Sequence, residues 1–210
     1  MVVDQILSRL GLFIPLVLAL TVHEWAHAVA SFRLGDPTAL EHGRLTLNPL
    51  AHLDPVGTIL LPLVGLPFGW AKPVPVDPSR FRPEVTMGHG LLLTAAAGPV
   101  ANLGLALLSA AALRITGGFS PGALHPAVDL LLSRFTVINL ALALFNLLPI
   151  PPLDGSRIVD GLIPFAWRPI WDRISAAGVV ILLGIFVGPQ LFGPGLGDWV
   201  AHLSANLTGR

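Results

Sequence analysis

Cysteine and tyrosine are both absent from this 210-residue sequence, and charged side chains are scarce. Without cysteine no disulfide can form, so any metal site must be built from histidine, aspartate or glutamate. Without tyrosine, one common hydrogen-bond donor to a developing oxyanion is missing. Lysine plus arginine and aspartate plus glutamate number 12 each, so the chain has no excess of positive charge with which to recruit nucleic acid.

Apolar residues take the place of the missing charges. Hydrophobic residues make up 53% of the chain and charged residues 11%, whereas soluble domains carry roughly 25% charged residues. This composition predicts an integral, multi-pass membrane protein whose partners are the lipid bilayer and other membrane proteins. The length suits one domain, and we expect a single intramembrane domain over residues 1–210.

Long apolar runs predict the membrane-spanning helices. A helix of about 20 residues is long enough to cross a bilayer. For the first apolar run, a cleaved signal peptide is the alternative interpretation, but the run continues past any cleavage point. The expected fold class is an all-α polytopic membrane protein, a bundle of about four to six transmembrane helices. The clear candidates are Leu10–Ser31, His89–Leu113, Phe135–Ile150 with a backward extension through "AVDLLLSR", and Ala176–Phe192.

Two shorter segments interrupt this pattern. Val56–Trp70 is apolar but is broken by Pro62 and Pro67, so we expect a re-entrant loop. Prolines alternate through "GWAKPVPV", Gly69–Val76, which predicts an extended strand or hairpin. A substrate could pair with the spare backbone groups of such a strand, and a purely structural hairpin is the alternative.

The first span contains ionisable residues in the stretch "ALTVHEWAHAVASF". His23 and His27 are four residues apart, so on a helix they point the same way and can bind one zinc ion together. Glu24 projects about 100° round the helix, where it can act on a water at the metal without being a ligand. Two alternative interpretations of these residues are a buried polar cluster that stabilises helix packing and a proton relay in a transporter.

A third ligand is expected where another span ends in a sharp turn that carries a carboxylate. The stretch "FNLLPIPPLDGSRI" has this form, because its prolines stop the helix and Gly155 permits a turn beside Asp154. An ordinary Asp-Gly turn at a membrane boundary is the alternative interpretation.

Taken together, "HEWAH", "AAGPVAN" and "NLLPIPPLDGSR" resemble the site-2 protease family of intramembrane zinc metallopeptidases. The stretches "LNPLAHLDPVGTILLPL" and "GWAKPVPVDPSRFR" resemble a compact bacterial branch of that family without a PDZ or CBS domain. The similarity extends from Leu10 to about Arg168. The resemblance implies that His23, His27 and Asp154 hold one zinc ion and that Glu24 is the general base and acid.

The resemblance also implies roles for two asparagines. Asn102 and Asn146 match family positions near the metal and the substrate, where each could donate to an oxyanion or hold an unwound peptide. Hydrogen bonding between helices is the alternative for both. Three other histidines have no motif role and are expected to be solvated or structural: His42, His52 and His89.

The resulting prediction is a zinc metalloendopeptidase that cleaves single-span membrane proteins within or near their transmembrane segments. An ion- or proton-coupled transporter would show inverted repeats, which the sequence lacks. A second alternative is that the chain is a catalytically silent relative that binds metal without cleaving substrates, although the presence of Glu24 argues against it. Eight positive residues fall at the predicted metal end and four at the other, so that end is expected to face the cytoplasm of a bacterial cell. The eight are Arg33, Arg44, Lys72, Arg80, Arg82, Arg157, Arg168 and Arg173.

Overall fold

The structure is a computed structural model that describes residues 2–60, 70–119, 126–182, 184 and 196–209. These residues form helices and connecting segments and contain no β-strand. In chain order the α-helices are α1 (Val2–Arg33), α2 (Thr38–Glu41), α3 (Met87–Phe119), α4 (Pro126–Asn146), α5 (Asp154–Leu162), α6 (Arg168–Ala176) and α7 (Leu196–Thr208).

Three of these helices are long and apolar enough to cross a membrane. The candidate spans are Gly11–Arg33, Met87–Thr116 and Pro126–Asn146. The prediction of an all-α membrane bundle is therefore confirmed, with its first three spans in the expected order. Of the fourth predicted span, Ala176–Phe192, residues 178–182 and 184 are helical, and residues 183 and 185–192 lie outside the described residues. Most of Val56–Trp70 also lies outside them, although its first residues belong to a π-helical turn over Pro55–Leu60.

Prolines set one helix end and are accommodated elsewhere. Helix α4 ends at Asn146, four residues before the predicted end, because the approach to Pro149 disfavours helical geometry. Pro15 and Pro99 lie inside α1 and α3 and are fully buried. Neighbouring helices can satisfy the backbone groups that such prolines leave free, so both spans continue through them.

The core is formed by close packing of α1, α3 and α4, with α5 against α3 and α7 against α3 and α4. A Cβ added at Gly161 of α5 would lie 2.7 Å from the carbonyl oxygen of Gly88 in α3. Small residues thus allow the close approach on which helix association in lipid depends. Large apolar side chains cover the outer surface, as lipid contact requires; Leu108 is 70% exposed.

Residues 70–77, here called the extended segment, contain neither helix nor β-ladder. Pro73 and Pro75 lack N–H groups and cannot donate to a β-ladder, so the prediction of a strand or hairpin here is wrong. Single hydrogen bonds and the burial of Val74 against Ala28 and Ala39 hold the segment instead. The Lys72 N–H donates to the His52 carbonyl at 2.9 Å, and the Asp77 N–H donates to the buried Asp36 carboxylate at 2.8 Å.

Candidate metal centre

The two histidines of "HEWAH" lie on one buried face of α1. Their side chains are 5% and 10% exposed for His23 and His27. The rings meet edge to face with centroids 4.6 Å apart, and their Nε2 atoms are 3.1 Å apart. The i, i+4 spacing therefore produces the shared site that the sequence predicts.

Asp154 is the first residue of α5 and reaches the same point from a different part of the chain. Its Oδ2 lies 3.1 Å from Nε2 of His23 and 3.2 Å from Nε2 of His27. The turn that delivers it requires glycine next in sequence, because a Cβ at Gly155 would collide with the carbonyl oxygens of Leu147 and Leu148. The structure thus brings together the three side chains named as ligands, and they are the one group of this kind among the described residues.

The dimensions of this triad suit zinc. Zinc bound tetrahedrally at about 2.0–2.1 Å from each ligand atom holds those atoms about 3.3 Å apart. The three observed separations, 3.1, 3.1 and 3.2 Å, are within a few tenths of that value. Three protein ligands also leave a fourth position open, as in catalytic zinc sites.

Hydrogen bonds on the far side of each ring fix where the lone pairs point. The Nδ1 atom of His27 lies 2.7 Å from the carbonyl oxygen of Thr94, which can only accept, so Nδ1 carries the proton. The Nδ1 atom of His23 lies 2.5 Å from Oδ1 of Asn102. Both Nε2 atoms then present lone pairs to each other and to a carboxylate. A cation between them removes this repulsion, and the arrangement therefore fits a metal ion.

The carboxylate in the triad is in the form that a metal requires. An aspartate has an ordinary pKa of about 3.9, so its carboxyl group is ionised at neutral pH. The N-terminus of α5 also favours negative charge at this position. Asp154 is consequently ionised under ordinary conditions.

Gly98 of α3 provides the space beside the two rings. A Cβ added there would lie 2.5 Å from Nε2 of His27 and 2.7 Å from Nε2 of His23. Thr94, Gly98 and Asn102 are spaced by four residues, so they form one stripe of α3 that runs along the histidines. Any side chain at position 98 would occupy the volume in which an ion contacts both nitrogens.

Glu24 lies outside the triad and contacts the extended segment. Its Oε2 accepts a hydrogen bond from the backbone N–H of Val74 at 3.0 Å. It is not a member of the ligand cluster, as expected for a base that acts beside the metal. The sequence linked Glu24 to the metal but gave no indication that residue 74 would hold it.

The two asparagines named from the resemblance have different surroundings. Asn102 is fully buried, and its Nδ2 donates to the Ala19 carbonyl at 3.2 Å and to Oδ1 of Asn139 at 2.7 Å. Both of its N–H groups are thus committed, which favours orienting His23 over donating to an oxyanion. Asn146 donates to the carbonyl of Leu142 in its own helix at 3.0 Å and makes no contact with the triad among the described hydrogen bonds.

Asn139 was missed by the sequence reading, although a signal for it exists. It is a fully buried amide in the apolar run "FTVINLALALF" of α4. A polar residue at membrane depth marks a candidate functional position. Of the three histidines that were given no motif role, His42 and His89 are exposed, and His52 is buried with its Nε2 2.8 Å from the Thr46 carbonyl.

Comparison with known proteins gives two kinds of match. The sequence model of a family described as "Peptidase family M50" matches residues 121–188. A protein of Bacillus subtilis named "Putative zinc metalloprotease YwhC" is 42% identical over 186 residues, covering 85% of this chain and 80% of that protein. A protein of Mycobacterium tuberculosis named "Putative zinc metalloprotease Rip2" is 30% identical over 210 residues, covering 95% of this chain and 78% of that protein. No solved structure matches.

Proposed function

Because this chain belongs to peptidase family M50, whose site-2 proteases its motifs resemble, we propose that it is an intramembrane zinc metalloprotease. The observation that carries the proposal is the convergence of His23, His27 and Asp154 with their lone pairs directed at one point. Its substrates are single-span membrane proteins, cut within or near their transmembrane segments. Residues 1–210 act as one intramembrane protease domain.

The triad is proposed to hold the ion, and the surrounding protein to keep the triad in place. When bound, zinc acidifies a water molecule and polarises the scissile carbonyl. The Nδ1–H group of His27 donates to a backbone carbonyl, and the Nδ1–H group of His23 donates to Asn102. In both rings Nε2 is therefore left unprotonated and available as a metal ligand. The site therefore does not have to change tautomer in order to bind metal.

Glu24 is proposed to be the group that moves the proton. It takes a proton from the attacking water and delivers it to the leaving amine, as a general base and then a general acid. The Val74 N–H occupies Oε2, so Oε1 remains available for this transfer. This hydrogen bond also restricts the rotation of the Glu24 carboxylate.

The extended segment is proposed to receive the substrate chain. Residues 70–74 use one edge for contacts within the protein: the Trp70 and Lys72 carbonyls accept from Thr58 and Arg44, and the Lys72 and Val74 N–H groups donate to His52 and Glu24. On the other edge, the Asp77 N–H at the end of the segment donates to Asp36. Backbone groups alternate along an extended chain, so the carbonyls of Pro73 and Pro75 face the other edge. A substrate unwound from its helix would donate N–H groups to these carbonyls two residues apart.

Replacement of Glu24 by glutamine tests the proposal. Purified full-length protein, reconstituted with a single-span substrate, is assayed for both zinc content and cleavage. The Glu24→Gln variant is expected to retain zinc and to lose cleavage by a factor of about 10²–10⁴. The exposed Glu84→Gln is the matched control and should behave as wild type. Appreciable proteolysis by pure Glu24→Gln protein would reject the assignment of Glu24 as the base. A wild-type protein that transports ions but does not cleave the substrate would reject the assignment as a protease.

The protein is integral to a membrane, and we assign it to the bacterial cell membrane with the metal end towards the cytoplasm. The excess of positive residues at that end supports this orientation. The chain has no cysteine, so single-cysteine labelling needs no background removal. In intact cells a membrane-impermeant maleimide should label Asn206→Cys and should label Glu84→Cys only after permeabilisation. The reverse pattern would overturn the orientation.

A further inference from the structure

Asn139 of α4 lies in the core without any role in the mechanism described above. The side chain is fully buried in a membrane-spanning helix, and a buried amide is costly unless its hydrogen-bonding groups are satisfied. Its Nδ2 donates to the carbonyl of Phe135 at 2.9 Å, and its Oδ1 accepts from Nδ2 of Asn102 at 2.7 Å. Asn139 is thus one step removed from His23.

The direction of this hydrogen-bond chain is fixed by backbone carbonyls, which can only accept. The Phe135 carbonyl requires Nδ2 of Asn139 on its side, so Oδ1 faces Asn102. The Ala19 carbonyl likewise requires Nδ2 of Asn102, so Oδ1 of Asn102 faces His23. Since Oδ1 accepts, Nδ1 of His23 must carry the proton, and Nε2 is left with its lone pair towards the triad.

We infer that Asn139 is a positioning residue of the metal centre, which acts through Asn102 to hold His23 as the Nδ1–H tautomer and so raises zinc affinity. Nδ2 of Asn102 donates to Oδ1 of Asn139 at 2.7 Å and to the Ala19 carbonyl at 3.2 Å, and the two acceptors lie on different helices, α4 and α1. Asp154 follows α4 in the chain. The helix that leads to one ligand therefore also orients another, which couples the two ligands through α4.

A second polar pair joins the same two helices and supplies a matched control. Thr136 lies three residues before Asn139 on α4, is also fully buried, and its Oγ1 is 2.8 Å from Oγ of Ser109 in α3. Both hydroxyls otherwise contact backbone carbonyls of their own helices. Among the described hydrogen bonds, neither hydroxyl is bonded to His23 or Asn102. Loss of this pair weakens the contact between α3 and α4 without touching the metal centre.

The test compares zinc affinity in Asn139→Leu and Thr136→Val. Full-length proteins in detergent are titrated with zinc against a competing chelator, and thermal unfolding of the metal-free forms is measured in parallel. Outer partners of metal ligands typically contribute 10- to 100-fold in affinity, and we expect about a tenfold loss in Asn139→Leu, at the lower end because Asn139 acts through Asn102. Thr136→Val should bind zinc as wild type does while losing comparable thermal stability. Equal zinc affinity in wild type and Asn139→Leu, or an equal loss in Thr136→Val, would overturn the inference.

Two further measurements apply if Asn139→Leu does not fold. Asn139→Asp in its neutral form keeps both a donor for Phe135 and an acceptor for Asn102, and it should retain near wild-type zinc affinity; a tenfold loss there counts against the inference. Histidine ¹⁵N spectra of the metal-free wild type should show His23 protonated at Nδ1, and protonation at Nε2 would refute it. The inference rests on the proposed zinc site: a protein that binds no zinc fails the proposed function, whereas one that binds zinc regardless of residue 139 fails only this inference.

Discussion

The metal triad and the extended segment are adjacent but are held by different means. His23, His27 and Asp154 are carried by helices, and the two rings are fixed by buried groups of α3. The extended segment is held by single hydrogen bonds from its backbone to loops and to α1, and by Val74, which is buried against Ala28 and Ala39. Glu24 is next to His23 in the chain, yet its one hydrogen-bond partner among the described residues is in the extended segment. Zinc affinity should thus depend on helix packing, and the rate of cleavage should depend in addition on the extended segment.

Gly98→Ala is expected to have the largest effect, and it acts on the helical side of this comparison. The new methyl group would lie 2.5 Å from Nε2 of His27 and 2.7 Å from Nε2 of His23, within the volume that an ion needs. Zinc binding and cleavage should both be lost, while the metal-free protein remains folded. Zinc content after dialysis and a thermal unfolding curve measure the two properties separately.

Gly104→Ala is the matched control in the same helix. A Cβ at Gly104 meets nothing within 4 Å, and alanine is the better helix former by about 1 kcal/mol. Zinc content and cleavage should equal those of the wild type. Retention of zinc by Gly98→Ala would show that the ion does not lie between the two imidazoles, and the triad would then need another interpretation.

Val74→Pro tests the role of the extended segment, and we expect an effect of intermediate size. Proline removes the N–H that holds Glu24, and a hydrogen bond to a charged group contributes about 1.5–3 kcal/mol. We expect cleavage to fall by about tenfold or more, with zinc content unchanged. Val76→Pro is the control, because Val76 also follows a proline and its N–H has no partner among the described residues. Loss of zinc in Val74→Pro would mean that the segment supports the triad as well, and the proposed separation would fail.

The HExxH spacing predicted that His23 and His27 share a site, and the proline-broken end of α4 made Asp154 a candidate third ligand, which only the family resemblance assigned to the metal. The first follows from helix periodicity alone, and the second from the local effect of proline, so both are properties of short stretches. The spans of α1, α3 and α4 were also predictable, since length and hydropathy decide them. The ends of the helices were less predictable than their existence. Helix α4 ends at Asn146 and not at Ile150, because the helix stops ahead of Pro149.

The supports of the triad could not be predicted in the same way. Which face of α4 meets α3 is decided by tertiary packing, and three spans without strong amphipathicity give no periodic signal for it. Asn146 was chosen from the resemblance, whereas Asn139 makes the contact that reaches His23 through Asn102. Val74 offers only a backbone N–H to Glu24, and no side-chain pattern reports a backbone donor.

The smallest effect is expected from Glu41→Gln, which removes an exposed ion pair beside the extended segment. Both carboxylate oxygens of Glu41 accept from Arg80 at 2.6 Å, and the hydrogen bonds from Arg80 lower the pKa of Glu41 below its ordinary value of 4.5. Because the folded pKa is the lower one, this pair contributes to stability above pH 4.5 and loses its contribution as the pH falls through the folded pKa.

Solvent screens this pair, since the two side chains are 38% and 49% exposed. Glu41→Gln should therefore leave zinc content and cleavage unchanged. Any difference from wild type in thermal unfolding should shrink as salt is added and should vanish at low pH. A clear loss of cleavage in this variant, with zinc retained, would mean that the side-chain pair and not the buried Asp36 to Asp77 bond sets the position of the extended segment. In that case the segment would be supported from the solvent side, and its contact with Glu24 would become sensitive to ionic strength.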